Sequence, residues 1–244
     1  MHRLKSIIEY DGTRFHGWQI QPGRPSIQGA LAQAFETIQG NPVTIHAAGR
    51  TDAGVHALGQ VIHCDVLKEL PPERWQAALN TQLPPDIRVR SVSRCEPDFH
   101  ARRSARQKVY AYRFWPGRVV SPFWYRYAVS VPISINWDAM QTAAHSFIGT
   151  FDFTPFTVAD CEVNSHIRTI FDVSWQTLSD QVISLEFSGN GFLKYMVRRM
   201  TGLLIDVGTN RYPASMVSDV LTGQRTAQIT TAPAKGLTLV RVDY

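Results

Sequence analysis

Val43-Thr-Ile-His-Ala-Ala-Gly-Arg-Thr-Asp-Ala-Gly-Val-His-Ala-Leu-Gly-Gln-Val-Ile-His-Cys-Asp-Val66 holds two strand-like runs separated by a loop. Residues 43–48 form the first run. In the second, 59–66, Ile62, Cys64 and Val66 alternate with His63 and Asp65, the period of a half-buried strand. Between them, Gly49 to His56 is bracketed by glycines and reads as an exposed loop. Working outward, residues 3–10 form a strand that stops at the turn Tyr10-Asp11-Gly12-Thr13. Ser26 is a plausible N-cap for a helix carrying Ile27, Leu31, Ala34, Phe35 and Ile38 at helical spacing, and Gly40-Asn41-Pro42 ends it. A helix over 73–83, fenced by proline pairs, and a strand over 87–95 follow.

From Lys108 the pattern restarts. A strand places Tyr110, Tyr112 and Phe114 on one face, and a helix is predicted around 137–148. Strands near 168–175 and 182–188 precede a long helix over 193–207 with Leu193, Met196, Val197, Met200, Leu204 and Val207 as its apolar stripe. A short helix over 214–221 and a strand over 237–242 complete the chain. The expectation is an α+β protein of two similar halves, 1–105 and 106–244. Hairpin-like links favour mostly antiparallel sheets, joined into one continuous sheet with helices packed on one side and an active-site cleft between the halves.

The 244 residues are 44% hydrophobic and 18% charged, enough to bury a sizeable core. No apolar run is long enough for a membrane span, and the first ten residues resemble a strand more than a signal peptide, so a cytoplasmic protein is expected. Cys64, Cys95 and Cys161 are far apart, odd in number and without CxxC spacing, which indicates neither a disulfide framework nor a zinc site. His63 and Cys64 adjoin, but neighbours on a strand point to opposite faces. With no phosphate-binding loop either, no cofactor or metal is expected. The formal charge is +5. Its distribution is more informative: Arg88, Arg90 and Arg94 precede Arg102, Arg103, Arg106 and Lys108, and Lys194, Arg198 and Arg199 form a second cluster. Flanking aromatic-rich segments, they suit a groove that tracks phosphates.

Asp52 is the chemically telling residue. An aspartate among small residues is commonly an Asx-turn or a helix cap. Here the glycines allow close approach of a ligand, Arg50 places a cation two residues away, and Ala53 leaves the carboxylate unobstructed. The run Ala48-Gly-Arg-Thr-Asp-Ala-Gly-Val-His-Ala57 resembles the active-site motif of the tRNA pseudouridine synthase A family. Tyr10-Asp-Gly-Thr-Arg-Phe-His-Gly-Trp-Gln19 is similar to that family's opening signature. Asp98-Phe-His-Ala-Arg102 and Lys108-Val-Tyr-Ala-Tyr112 resemble its middle. Gly191-Phe-Leu-Lys-Tyr-Met-Val-Arg-Arg-Met200 and Thr231-Ala-Pro-Ala-Lys-Gly-Leu237 resemble its end. Phe151 departs from the pattern, since relatives commonly carry His there.

The resemblance implies isomerisation of uridine to pseudouridine in the tRNA anticodon stem-loop, at tRNA positions 38, 39 and 40, by a homodimer. It implies Asp52 as nucleophile, open as to whether it attacks C1′ or the uracil ring or removes a ribose proton. Tyr110 would stack on the base and Arg198 would hold the carboxylate ionised. Arg50 would fill the gap left by the extruded uridine. His56 and Arg102, within the matched motifs, join Arg50 and Tyr110 as expected substrate-binding residues. Two other readings are a tRNA-binding module without chemistry and a nucleosidase-type hydrolase. The latter would need a second carboxylate to activate water, for which Asp11 and Asp65 are the nearest candidates in sequence.

Overall fold

The computed structural model describes residues 1–159, 163–178 and 181–244; Cys161 lies outside them. The chain divides into two units, Met1–Arg106 with Thr238–Tyr244, and Gln107–Leu237. The cut falls beside the expected residue 105, but the last strand belongs to the first unit rather than the second.

In the first unit, β1 (His2–Tyr10) buries Leu4, Ser6, Ile8 and Tyr10 and leaves the alternate side chains partly or fully exposed. It pairs antiparallel with β3 (His56–Val66) and β4 (Ile87–Arg94), and the two-residue β2 (His46–Ala47) adds to β3. The expected strand over 43–48 shrinks to β2 because Pro42 cannot donate to a ladder and the Ile45 carbonyl accepts Gln28 Nε2 at 3.1 Å. Conversely, β3 begins three residues before the expected 59. His56 and Ala57 pair in parallel with Thr238 and Leu239 of β10 (Leu237–Asp243). Gly59 is the position that tolerates this approach, since a Cβ there would lie 2.5 Å from the Val240 carbonyl oxygen.

Helix α1 (Ile27–Gln39) is capped as expected. Ser26 Oγ accepts Gly29 N–H at 3.2 Å, and Gly40 closes the helix in the left-handed region at φ 81°. Phe35 meets Trp75 of α2 (Pro72–Gln82) with ring centroids 5.5 Å apart. Asn80 ties α2 to β4 by exchanging two bonds of 2.9 Å with the Val89 backbone.

In the second unit, β5 (Gln107–Pro116) pairs antiparallel with β9 (Ile183–Gly189), β9 with β8 (Ile167–Thr177), and β8 with β7 (Gly149–Asp152). The short β6 (Val129–Val131) runs parallel to β5. The α+β class and the mainly antiparallel pairing agree with the sequence. The helices are α3 (Trp137–His145), α4 (Met196–Gly208) and α5 (Met216–Leu221). Helix α4 starts three residues later than the apolar stripe suggests, because Tyr195 sits at φ 61° and breaks the helical path. Its buried face includes Met200, Leu203, Leu204 and Val207. Gly208 lets α3 approach: a Cβ there would lie 2.6 Å from Met140 Sδ.

Candidate active site

The segment around Asp52 is a turn held from both sides. Val55 N–H donates to the Asp52 carbonyl at 3.1 Å, and Gly54 takes φ 78° at the third turn position, which favours glycine. No helix starts there, so Asp52 is not a helix cap. Upstream, Gln60 Nε2 donates to the Gly49 carbonyl at 2.7 Å. The Thr51 carbonyl accepts Trp18 N–H at 3.0 Å, and Thr51 Oγ1 lies 2.8 Å from the Tyr10 hydroxyl. Tyr10 is buried, and burial pushes its phenol up to about 12, so it stays neutral.

Two glycines of the opening signature form the bed of this turn. A Cβ on Gly12 would overlap the Val55 carbonyl. One on Gly17, at φ 89°, would lie 2.8 Å from Thr51 O and 3.1 Å from both the Asp52 carbonyl carbon and Ala53 N. His56 is buried, and its Nδ1 accepts Gly12 N–H at 3.1 Å. The same nitrogen lies 3.2 Å from an Asp11 carboxylate oxygen. Asp11 also accepts Thr13 N–H at 2.9 Å. Asp52 itself is half-buried, while Arg50 and Ala53 are exposed. A carboxylate is thus presented on a backbone with little freedom to move, as a nucleophile or base requires.

Arg102 also lies in the first unit, exposed on the turn Ala101–Ser104. His100 Nδ1 accepts Arg102 N–H at 3.1 Å and Arg103 N–H at 3.3 Å, and His63 Nδ1 accepts Ala101 N–H at 3.1 Å. His46 stacks on His63 at 4.8 Å. Burial, with His100 and His46 nearby, lowers the His63 imidazole to about 4, which keeps Nδ1 an acceptor. The Tyr244 hydroxyl completes the support by donating to the Ala101 carbonyl at 2.8 Å. Of the other early arginines, Arg90 pairs with Glu9 at 3.0 Å and Arg94 with Glu69 at 3.3 Å, both at the surface, and Arg88 donates to the Pro84 and Ile87 carbonyls.

In the second unit, Tyr110 on β5 stands opposite Phe187, with the Phe192 ring edge-on at 5.1 Å. Tyr112 is fully buried and its hydroxyl donates to the Pro233 carbonyl at 2.8 Å, so the tyrosines divide: Tyr112 is structural. Arg198 on α4 is half-buried rather than solvated. Its Nε donates to the Ala232 carbonyl at 2.8 Å, its own carbonyl accepts Ala232 N–H at 3.0 Å, and its guanidinium lies 5.1 Å from the Tyr195 ring centroid. With Nε fixed in this way, the terminal nitrogens form an oriented fork. The segment 231–236 thus holds Arg198 and Tyr112, and Gly236 makes room for the Tyr112 ring. Reading residue types along the chain missed these supports, because a backbone carbonyl leaves no mark in sequence; the positive-φ Gly17 had a signal only as a glycine within the opening signature.

Among the described residues, no group of three His, Cys, Asp or Glu is placed to hold a metal ion, and no helix is long and apolar enough to cross a membrane. Cys64 and Cys95 are free thiols.

Residues 7–102 and 143–244 match the model of a family described as tRNA pseudouridine synthase. A tRNA pseudouridine synthase A of Shouchella clausii is 43% identical over 246 residues, covering 100% of this chain and 94% of that protein. Its counterpart in Brevibacillus brevis is 40% identical over 245 residues and covers 100% of both. Among solved structures, H/ACA RNP bound to a substrate RNA containing 2'-deoxyuridine has a TM-score of 0.37 and 9% identity, covering 83% of this chain and 44% of that chain, too distant to bear on function. With full-length relatives at this identity and a family model matched across both units, the chain belongs to the tRNA pseudouridine synthase family.

Proposed function

We propose that Asp52 is the nucleophile with which this enzyme isomerises uridine to pseudouridine at tRNA positions 38, 39 and 40 in the anticodon stem-loop. The isomerisation of uridine in tRNA follows from the family; the residue roles and the positions are the proposal. The observation that carries it is a half-buried carboxylate on a turn whose backbone is clamped by Gly12, Gly17, Trp18 and Gln60. The reaction breaks the N1–C1′ bond and joins C1′ to C5; the C5 proton is lost and N1 gains one. It is redox-neutral and internally balanced, so one carboxylate and a proton carrier are sufficient protein chemistry.

Tyr110 is assigned to stacking on the uracil and to the proton transfer, and Arg198 to keeping the nucleophile ionised and oriented. Arg50, exposed beside the turn, takes the place of the extruded base, which offsets part of an unstacking cost of roughly a few kcal/mol. Arg102 meets phosphate, and His56 serves binding through the turn it pins. We further propose that the enzyme acts as a homodimer in the cytoplasm.

The test is Asp52→Asn, which keeps shape and removes charge. Pseudouridine at positions 38–40 should disappear on chemical mapping of unmodified tRNA while tRNA still binds. Substantial residual isomerisation would overturn the assignment. Free uracil in place of a product of unchanged mass would point to the hydrolase.

A further inference from the structure

Between Pro116 and Ala128 the second unit carries a loop that is well organised yet turns several large apolar side chains outward. Trp124 and Tyr125 N–H both donate to the Ser121 carbonyl, at 2.9 and 2.8 Å, and Ala128 N–H donates to Trp124 O at 2.9 Å. Gly117 N–H donates to Val131 O at 2.8 Å, and Ser130 Oγ donates to Gly117 O at 2.7 Å. Val120 and Trp124 pack against Trp115, Ala128 and Val182. Folding thus uses two of the loop's apolar residues and leaves three outside: Val119 is 86% exposed, Phe123 85% and Tyr125 62%. Anchoring one set fixes the other in place, at a cost in hydration that folding does not recover.

The surroundings are cationic. Arg118 and Arg126 lie in the loop, and Lys235 Nζ donates to the Tyr125 carbonyl at 3.1 Å while lying 4.6 Å from its ring centroid. From Phe99 to Trp137 the sequence contains no aspartate or glutamate. Fixed aromatic faces bordered by cations, with no carboxylate in the segment, are the ingredients of an RNA-stacking platform. A second copy of the chain docking symmetrically through this patch would press its cations against themselves.

We infer that this loop is an additional tRNA contact: an unstacked base lies against the exposed ring of Phe123, while Arg118, Arg126 and Lys235 meet neighbouring phosphates. The inference rests on tRNA as the substrate and not on which uridine is modified or on Asp52, so its failure and theirs are separable.

The experiment measures the Kd of unmodified full-length tRNA, with sedimenting mass, for wild type, Phe123→Ala, Phe123→Leu and Phe123→Tyr. The side chain is exposed, so folding should be retained in each. Loss of one stacked base weakens binding by roughly 5- to 150-fold, expected for both Ala and Leu, whereas Tyr should remain within about twofold. Arg118→Gln should lower the log–log salt slope by about 0.7–0.9. Wild-type affinity in Phe123→Leu would overturn the inference, because it would mean that apolarity alone matters. A change of sedimenting mass in Phe123→Ala would overturn it in favour of an interface between copies.

Discussion

Gly17→Ala tests whether the bed beneath the Asp52 turn sets catalysis. The added Cβ would lie 2.8 Å from Thr51 O and 3.1 Å from the Asp52 carbonyl carbon. Ordinary carbon–oxygen approaches are about 3.3 Å or more, so the turn must retreat by about half an ångström. A misplacement of about 1 Å can cost on the order of a hundredfold in rate, so a loss of about tenfold is expected here. The substitution also places alanine at φ 89°, a backbone penalty of about 1–2 kcal/mol. Gly23→Ala separates the two effects. It carries a similar penalty at φ 69° but meets nothing within 4 Å. Both variants should lose a few degrees in Tm. Only Gly17→Ala should slow single-turnover pseudouridine formation at saturating tRNA. A folded Gly17→Ala enzyme turning over at the wild-type rate would refute the reasoning.

Arg198→Met keeps most of the packing but removes a charge whose Nε bonds Ala232, and Arg198→Lys keeps the charge without the fork; single-turnover rates should fall about 10- to 100-fold in both, most in Met. Turnover at the wild-type rate in Arg198→Met would end its assigned role. Because the folded His63 pKa is lowered from 6.5 to about 4, its contribution to stability is present above pH 6.5 and is lost as pH falls toward 4. The loss is at most about 3 kcal/mol, and less with solvent screening. Urea unfolding across that window should show it, and His63→Gln, whose amide can still accept Ala101 N–H, should flatten the profile; an unchanged slope would contradict this. Arg102→Gln should reduce the salt slope of tRNA binding by about 0.7–0.9, whereas Arg90→Gln, with Glu9 as partner, should leave it nearly unchanged.

The elements that the sequence located best are those whose signals are local. Ser26 and Gly40 bound α1 because caps are written in the residues at the ends themselves. Elements defined by a distant partner were misjudged. The start of β3 at His56 depends on β10, and the Ala57-Leu58-Gly59 stretch has no alternation to show it. Val129–Val131 and Gly149–Asp152, too short for a period to register, went unseen. In the site, the motif around Asp52 was visible as residue types, and so was Arg198 as a basic residue at the edge of a helical stripe. What fixes them was not: Ala232 acts through its backbone, and Arg88, Arg90 and Arg94 look like a phosphate track until carbonyls and carboxylates are found on them.

The first unit is assembled from two stretches of chain separated by roughly 130 residues, since Gln107–Leu237 intervenes before β10. On a ribosome adding about 5–20 residues per second, His56 and Ala57 therefore wait roughly 9 to 36 s for Thr238 and Leu239. During that interval the strand leading out of the Asp52 turn has one edge open, and Ala101 lacks the Tyr244 hydroxyl that steadies the Arg102 turn. The intervening unit pairs β5, β6, β7, β8 and β9 among themselves and carries three helices, so these can form first. The half translated first is thus completed last, since its sheet edge at His56 and Ala57 closes only when the final strand arrives.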